Sequence, residues 1–145
     1  MGLNIQMTVD CRDPHVQAFW WAETLGWSVE PTEESFVRDM IARGHATDAD
    51  TREYNGKLVW RLGTAICPTE QLGRKPRQRI LFQEVPEPKT VKNRVHWDMN
   101  LEGGDRDELR AALESRGATF PYEESQGPFH WHTMRDPEGN EFCFG

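Results

Sequence analysis

The stretch RVHWDMNL, residues 94–101, is the part of the sequence on which our interpretation of the fold depends. Apolar and polar residues alternate along it, which predicts a strand with one apolar face and one polar face. The polar face carries His96, Asp98 and Asn100. Residues 3–11 show the same alternation. The two ends of the chain therefore carry strands of similar design.

A helix with clear start and stop signals follows each of these strands. Asp13 and Pro14 offer a capping carboxylate and a proline for the first helical position, and Gly26 suits the left-handed residue past the helix end. A second helix is predicted from about Asp105 to Gly117. Two strand–helix units with the same layout indicate an internal duplication.

The remaining pattern predicts the order β-α-β-β-β twice, with an enlarged first copy. The enlargement, residues 32–56, is predicted as a helix that Gly44 ends, followed by a polar loop over residues 45–55 with room for one helical turn. Residues 80–85 are apolar on both faces, which favours a central strand. The other strands are predicted at residues 27–29, 58–60, 63–67, 118–120, 129–134 and 141–144.

The Pro-rich segment 86–93 is predicted to link two modules of one domain, which spans residues 1–145. We place the modules at about 1–85 and 94–145, because two prolines in this segment disfavour both helix and central strand.

Composition excludes several classes of partner. A formal charge of −7 argues against nucleic acid or an anionic membrane. No apolar segment approaches the roughly 20 residues that span a bilayer, and the N-terminus lacks a secretory pattern. Three scattered cysteines without a CxxC motif fit a reducing compartment, so we expect a cytoplasmic protein.

Three motifs in order along the chain resemble a known group of proteins. They are ILFQ at 80–83, PEPKTVKNRVH at 86–96 and DPEGNEF at 136–142. With the duplicated plan, they resemble the vicinal-oxygen-chelate superfamily, which comprises glyoxalase, bleomycin-resistance and extradiol-dioxygenase proteins, and most closely its bacterial glyoxalase-like branch. The resemblance implies an α+β fold in which two βαβββ modules form curved mixed sheets around a cleft, with the helices outside.

Metal-dependent members of the superfamily bind one divalent ion, and the resemblance implies a corresponding position in this chain. Carried over by position, its ligands here are Gln6, Gln83, His96 and Cys143. Amide oxygens are weak ligands and a thiol must lose its proton to bind, so zinc is the most plausible ion if one is bound. Glu141, on the same strand face as Cys143, is the nearest carboxylate and the candidate catalytic base. The alternative is a cofactor-free polar patch, with Cys143 as a small buried residue.

Other residues are candidates for ligand binding on the cleft face. Trp60 and Trp131 can stack on an organic molecule, although packing alone also explains an aromatic residue in a strand. Asp98 shares a face with His96, and His132 shares a face with His130. Exposure on a strand is the simpler explanation for Asp98 and for the histidine pair.

These observations leave two functions open. The first is a protein that binds a small organic molecule between its modules without strong metal dependence. The second is a metal-dependent lyase or isomerase of glyoxalase type, in which the ion polarises vicinal oxygens of the substrate. Whether the chain is an enzyme depends on which of them holds. The resemblance is also compatible with a homodimer.

Overall fold

The structure is a computed structural model that describes residues 2–145. It divides into two compact units, which we call unit 1 (residues up to Pro88) and unit 2 (Lys89–Gly145). The boundary lies within the Pro-rich segment 86–93. Each unit has its own sheet, its own helical cover and its own buried residues.

Unit 1 is built on a four-stranded mixed sheet with the strand order β1-β6-β5-β2. The pair β1–β6 is parallel and the other two pairs are antiparallel. Strands β3 and β4 form a separate hairpin that turns at Asn55 and Gly56, both with positive φ. The elements are β1 (Met7–Cys11), α1 (Pro14–Leu25), β2 (Ser28–Val29), α2 (Glu34–Ala42), β3 (Thr51–Tyr54), β4 (Lys57–Trp60), β5 (Gly63–Cys67) and β6 (Ile80–Glu84), with 3-10 turns at Asp48–Asp50 and Thr69–Gln71.

Unit 2 has the same connectivity but lacks counterparts of α2, β3 and β4, which we call the insertion (residues 34–60). Its sheet has the order β7-β10-β9-β8, with β7 parallel to β10 and the other pairs antiparallel. The elements are β7 (Trp97–Met99), α3 (Arg106–Ser115), β8 (Thr119–Gln126), β9 (Phe129–Arg135) and β10 (Glu141–Phe144). When the four strands of each sheet are counted in chain order, the first pairs with the last, the last with the third, and the third with the second. The predicted duplicated α+β plan is confirmed.

The helix boundaries follow the predicted signals. The side chain of Asp13 accepts hydrogen bonds from two backbone amides of the first turn of α1, at 3.1 and 3.2 Å, and Gly26 ends the helix with φ 66°. Asp105 caps α3 in the same way, with amide contacts of 2.7 and 3.1 Å. Gly117 follows α3 with φ 99°. A residue with a Cβ atom would be strained in this conformation, so glycine is favoured there.

Buried apolar side chains form a core in each unit. Strand β6 is central in its sheet, as its two apolar faces predicted, and Phe82 is fully buried there. Large apolar side chains that are fully buried include Trp21, Val37, Ile66, Ile80 and Phe82 in unit 1, and Leu113, Met134, Phe142 and Phe144 in unit 2. Within residues 2–145, none of the helices is both long and apolar enough to cross a bilayer.

Two strands are shorter than the alternation predicted. The strand predicted over residues 3–11 begins only at Met7, and Leu3 and Ile5 are 96% and 89% exposed. The strand predicted over residues 94–101 is limited to Trp97–Met99. Alternation sets which face a side chain occupies, but a strand extends only as far as its neighbour. Here β6 begins opposite Met7, and β10 pairs with residues 97–99 of the predicted strand 94–101 and no others.

Two other predicted boundaries were wrong. The region 45–55, predicted as a loop with room for one helical turn, has such a turn at Asp48–Asp50 but also contains β3, which pairs with β4 along its whole length. Strand β8 continues to Gln126 rather than ending near Phe120. Both strands are rich in polar residues, so they lack the hydrophobic signal from which a strand is predicted, and pairing with a neighbour forms them instead.

Candidate functional site

One face of the unit 2 sheet borders a cavity of about 800 Å³. Residues paired in register point to the same face of a sheet, so Asp98, Cys143, Thr133 and Tyr122 form a row across its four strands. All four line the cavity, and its walls also include Lys92, His96, Arg106, Glu124, Phe129 and Trp131. The opposite face carries the core residues of unit 2.

Three potential metal ligands meet on this face. One donor atom each from His96, Asp98 and Cys143 lies within 4.8 Å of the other two. The Nε2 of His96 is 3.4 Å from a carboxylate oxygen of Asp98, and these side chains are 39% and 75% exposed. The Sγ of Cys143 is 3.4 Å from the hydroxyl oxygen of Thr133. We call these three residues the donor cluster.

The donor cluster fits a divalent cation by its chemistry. An imidazole, a carboxylate and a thiolate give one neutral and two anionic ligands, which together offset the charge of the ion. Burial raises the pKa of the Cys143 thiol, the Thr133 hydroxyl partly offsets this, and the Asp98 carboxylate raises the pKa further. Cys143 is therefore protonated near neutral pH until a cation displaces the proton.

Glu141 differs from the donor cluster, although it also lines the cavity. Its side chain is 8% exposed, and it lies 2.9 Å from the ammonium group of Lys89 and accepts a 2.9 Å hydrogen bond from the amide of Asn93. Burial opposes ionisation, but the hydrogen bonds from Asn93 and Lys89 outweigh it and lower the pKa of Glu141. Its oxygens are thus occupied by unit 2 itself, and its role as a catalytic base stays a prediction.

The two predicted candidates on β9 point to opposite faces. Trp131 lines the cavity. His132 is 2% exposed, pairs with Phe144 in register, and lies 3.1 Å through Nε2 from a carboxylate oxygen of Asp107 on α3. Its ring also packs edge-on against Phe120. His132 therefore belongs to the contact between the sheet and α3, and is not among the residues that line the cavity.

The candidates in unit 1 are not gathered in one place. Gln83 and Trp60 line a second cavity, of about 550 Å³, whose wall also includes Phe36 of the insertion. Gln6 is exposed and accepts a 2.8 Å hydrogen bond from Arg79, which also contacts Glu30 at 2.9 Å. Gln6 is not among the residues that line this second cavity.

Strand register explains why one predicted pair meets and the other does not. The partner of Cys143 is Asp98, two residues beyond His96. The partner of Gln83 is Asp10, four residues beyond Gln6. At about 3.3 Å per residue, these offsets correspond to roughly 7 Å and 13 Å along the strands. The convergence of all four predicted ligands on one ion stays a prediction.

The sequence analysis identified Asp98 as a ligand-binding candidate but did not include it among the metal ligands. The signal for that role was present, since the strand predicted over residues 94–101 places His96 and Asp98, two residues apart, on one face. What the pattern did not supply was the register that places Cys143 opposite Asp98.

Comparison with known proteins agrees with this architecture. The profile of the glyoxalase-like domain family matches residues 6–145. No curated protein matches the sequence. A glyoxalase/bleomycin resistance protein/dioxygenase family enzyme from Burkholderia phytofirmans PsJN is similar in structure, with a TM-score of 0.56, 14% identity and coverage of 96% of this chain and 94% of that one.

A fosfomycin resistance protein, FosX, from Listeria monocytogenes is also similar in structure, with a TM-score of 0.59 and 10% identity. The match covers 99% of this chain and 92% of that one. A mutant of that protein was crystallised with Mn(II) and 1S,2S-dihydroxypropylphosphonic acid, and its TM-score is 0.61 with 10% identity and coverage of 99% and 87%. At such identities the likeness shows the fold alone. The chain belongs to the glyoxalase-like domain family of the vicinal-oxygen-chelate superfamily.

Proposed function

We propose that the protein binds a small organic molecule in the cavity of unit 2. The observation that carries this proposal is the cavity itself, about 800 Å³ above a row of polar and aromatic side chains. Small-molecule sites in proteins are concave, have volumes of roughly 300–1,000 Å³, and combine apolar walls with a few convergent polar groups. The cavity has each of these properties.

The aromatic residues of the cavity favour a ligand with a flat or apolar part. Phe129 and Tyr122 are 72% and 40% exposed, and Trp131 is half-buried beside them. Exposed aromatic rings grouped at a cavity mark a binding surface more often than a random patch does. A ligand that stacks on these rings would remove their apolar area from water.

The polar residues favour a ligand that also carries oxygen. The Nη1 atom of Arg106 is buried in the cavity wall and has no hydrogen-bond partner within residues 2–145. A buried donor without a partner costs free energy, and an oxygen atom of a ligand would remove that cost. The donor cluster supplies further polar contacts on the cavity floor.

Saturation-transfer NMR on the whole chain tests the proposal, with a set of aromatic carboxylates and phenols as probes. We expect Trp131→Ala to weaken binding roughly two- to tenfold, because a stacking contact contributes about 0.5–1.5 kcal/mol. Trp60→Ala is the matched control, since it removes the same side chain from the cavity of unit 1. Binding that survives Trp131→Ala and disappears with Trp60→Ala would contradict the proposal.

A metal-dependent lyase or isomerase is a second candidate, which the donor cluster favours. His96, Asp98 and Cys143 would hold the ion, and a bound ion would polarise vicinal oxygens of a substrate. The chain's own residues would orient that substrate, through the aromatic wall and Arg106. Comparing turnover of a vicinal-oxygen compound by metal-loaded and chelator-treated protein tests this candidate, and equal turnover would reject it.

Location and assembly are further parts of the proposal. We place the protein in the cytoplasm, because its three cysteines are buried as thiols and not joined in disulfides. The superfamily resemblance supports a homodimer. Analytical ultracentrifugation of the purified chain checks the assembly state, and a single species of 16.8 kDa would contradict it.

A further inference from the structure

We infer that the cavity of unit 1 is a second binding site, which takes a small organic cation with an apolar part. The inference does not rest on the function proposed for unit 2, since the two cavities have no lining residue in common. The cavity of unit 1 has a volume of about 550 Å³. That volume lies within the roughly 300–1,000 Å³ of small-molecule sites in proteins.

The insertion supplies most of the wall of this cavity, and unit 2 has no counterpart of it. Helix α2 contributes Phe36 and Met40, which lie about one turn apart and so share a side of the helix. The 3-10 turn that follows contributes Asp50, and β4 contributes Trp60. The cavity therefore belongs to the enlargement of the first copy and not to the duplicated plan.

Two aromatic rings form a corner of the cavity. The ring centroids of Phe36 and Trp60 are 6.4 Å apart, and the ring planes lie at 80° to each other. Phe36 is 53% exposed, while its neighbour Val37 is fully buried and anchors α2. Aromatic rings attract a cation to their faces, and rings set around one point are the usual means of binding a quaternary ammonium group. The corner thus offers both an apolar surface and a surface that favours positive charge.

Gly63 leaves space for a ligand on the sheet below this corner. It pairs in register with Gln83, so the two residues are neighbours on the face that lines the cavity. The glycine has no side chain to fill its position, and a Cβ atom there would lie 2.5 Å from the backbone oxygen of Phe82. The amide of Gln83 therefore has an empty position beside it, where a ligand can reach its oxygen or its N–H groups.

The charge of the wall favours a cation over a neutral molecule or an anion. Within residues 2–145, the wall contains one carboxylate, that of Asp50, and no lysine or arginine. Hydrogen bonds from the amide and the hydroxyl of Thr47, at 2.8 and 3.1 Å, both end on Oδ2 of Asp50 and leave Oδ1 outside this contact. The guanidinium of Arg61 donates to backbone oxygens of Ala49 and Thr51 and does not line the cavity. The wall therefore complements an ammonium group.

Isothermal titration calorimetry on the full-length protein tests the inference, with benzyltrimethylammonium as the probe. Titrations at pH 8 limit the charge on His45, the other titratable side chain of the wall. We expect one equivalent to bind, roughly tenfold more tightly than 2-methyl-1-phenylpropan-2-ol, which has a similar shape and no charge. Equal affinities for the cation and the neutral alcohol would overturn the inference.

Asp50→Asn tests the role of the carboxylate, because it removes the charge and keeps an oxygen that can accept the hydrogen bonds from Thr47. We expect it to weaken binding of benzyltrimethylammonium roughly two- to fivefold and to leave binding of the alcohol unchanged. Asp48→Asn is the matched control, since it removes the same charge from the same turn outside the cavity wall. Equal losses in the two variants would overturn the inference, because the net charge of the protein would then explain the preference.

Phe36→Leu and Trp60→Leu test the aromatic corner, since each keeps an apolar side chain and removes one ring. Each should weaken binding of benzyltrimethylammonium roughly two- to fivefold. The exposed position of Phe36 makes Phe36→Leu the variant that should fold normally. Phe19→Leu is the matched control, because it alters an exposed ring on α1 that does not line the cavity.

Unchanged affinity in both ring variants would overturn the inference. Loss of benzyltrimethylammonium binding in Trp131→Ala, with full affinity in Phe36→Leu, would place the cation in unit 2 and would also overturn it. Either failure would leave the NMR result for aromatic carboxylates and phenols in unit 2 unaffected, so the two proposals fail separately.

Discussion

Acidic residues that line one cavity can have different roles. Asp98 is exposed and lies beside His96 and Cys143, where a cation can reach it. Glu141 is buried and bound by Lys89 and Asn93. A carboxylate whose oxygens already accept hydrogen bonds stabilises the fold, whereas one that faces solvent beside other donors is free to bind. We therefore assign Glu141 a structural role first.

Replacing Glu141 tests that assignment. We expect Glu141→Gln to lower the free energy of unfolding by roughly 1–3 kcal/mol at pH 7, because it leaves Lys89 with a charge but no charged partner. Urea denaturation followed by circular dichroism measures the change. The exposed Glu102→Gln is the matched control and should change stability little.

The effect of Glu141→Gln should depend on pH in one direction. The pKa of Glu141 is lowered in the folded protein, so the unfolded chain binds the proton more readily. The stabilisation is complete above the unfolded pKa of about 4.3 and disappears as the pH falls through the lower folded value. The difference between parent and variant should therefore shrink on acidification, and a constant difference would contradict the assignment.

At the level of elements, β5 and β6 of unit 1 approach each other unusually closely at one point. A Cβ atom on Gly63 would lie 2.5 Å from the backbone oxygen of Phe82. That oxygen belongs to a central strand and cannot move away easily. Glycine is required there for space, because the approach leaves no room for a methyl group.

Gly63→Ala should therefore destabilise the protein by about 1–3 kcal/mol, as overpacking a rigid site does. Thermal unfolding of the parent protein and the variant measures this loss of stability. Gly2→Ala is the control, since no atom lies within 4 Å of the corresponding position. A neutral Gly63→Ala would show that β5 and β6 can separate at this point.

Most elements could be predicted from local pattern. Helix α1 begins after Asp13 and ends before Gly26, and β10 occupies the predicted residues 141–144. Capping and alternation are properties of neighbouring residues, so one sequence reveals them. The early start predicted for β1 failed because strand length depends on β6, about seventy residues away.

The candidate site shows the same contrast between features that neighbouring residues determine and features that distant strands determine. Alternation predicted His96 and Asp98 on one polar face of a strand. In the structure His96 lies just before β7, and its Nε2 is 3.4 Å from the Asp98 carboxylate. The position of His132 could not be obtained in this way, because alternation does not say which face of β9 packs against α3. The pairing of His132 with Phe144 and the packing of α3 determine which face His132 occupies. Register between distant strands likewise determines which of the predicted ligands meet.

At the level of the whole molecule, the chain consists of two sheets with one connectivity and separate cores. The insertion, residues 34–60, covers most of the enlargement predicted at residues 32–56 and enlarges unit 1, and the donor cluster is confined to unit 2. Copies of one plan have thus acquired different side chains on corresponding strands. The fold is shared, and the chemistry is not.

Amide hydrogen exchange tests whether each core is stabilised by its own contacts. We expect Gly63→Ala to increase exchange mainly in β1, β5 and β6, and Glu141→Gln mainly in β9 and β10, because local contacts govern local opening. Mass spectrometry of peptides from the exchanged protein resolves these strands. Equal increases in both units for either variant would show that the chain opens as one body.

The pairing of Asp98 with Cys143 has a consequence for robustness. Hydrogen bonds between adjacent parallel strands hold the separation of their backbones within narrow limits. A cation held across such a pair would keep these two ligands together as long as the sheet stays folded, since both belong to one sheet. Affinity for the ion would then depend on the sheet of unit 2, and a change in the oligomeric state of the protein would leave these two ligands in place.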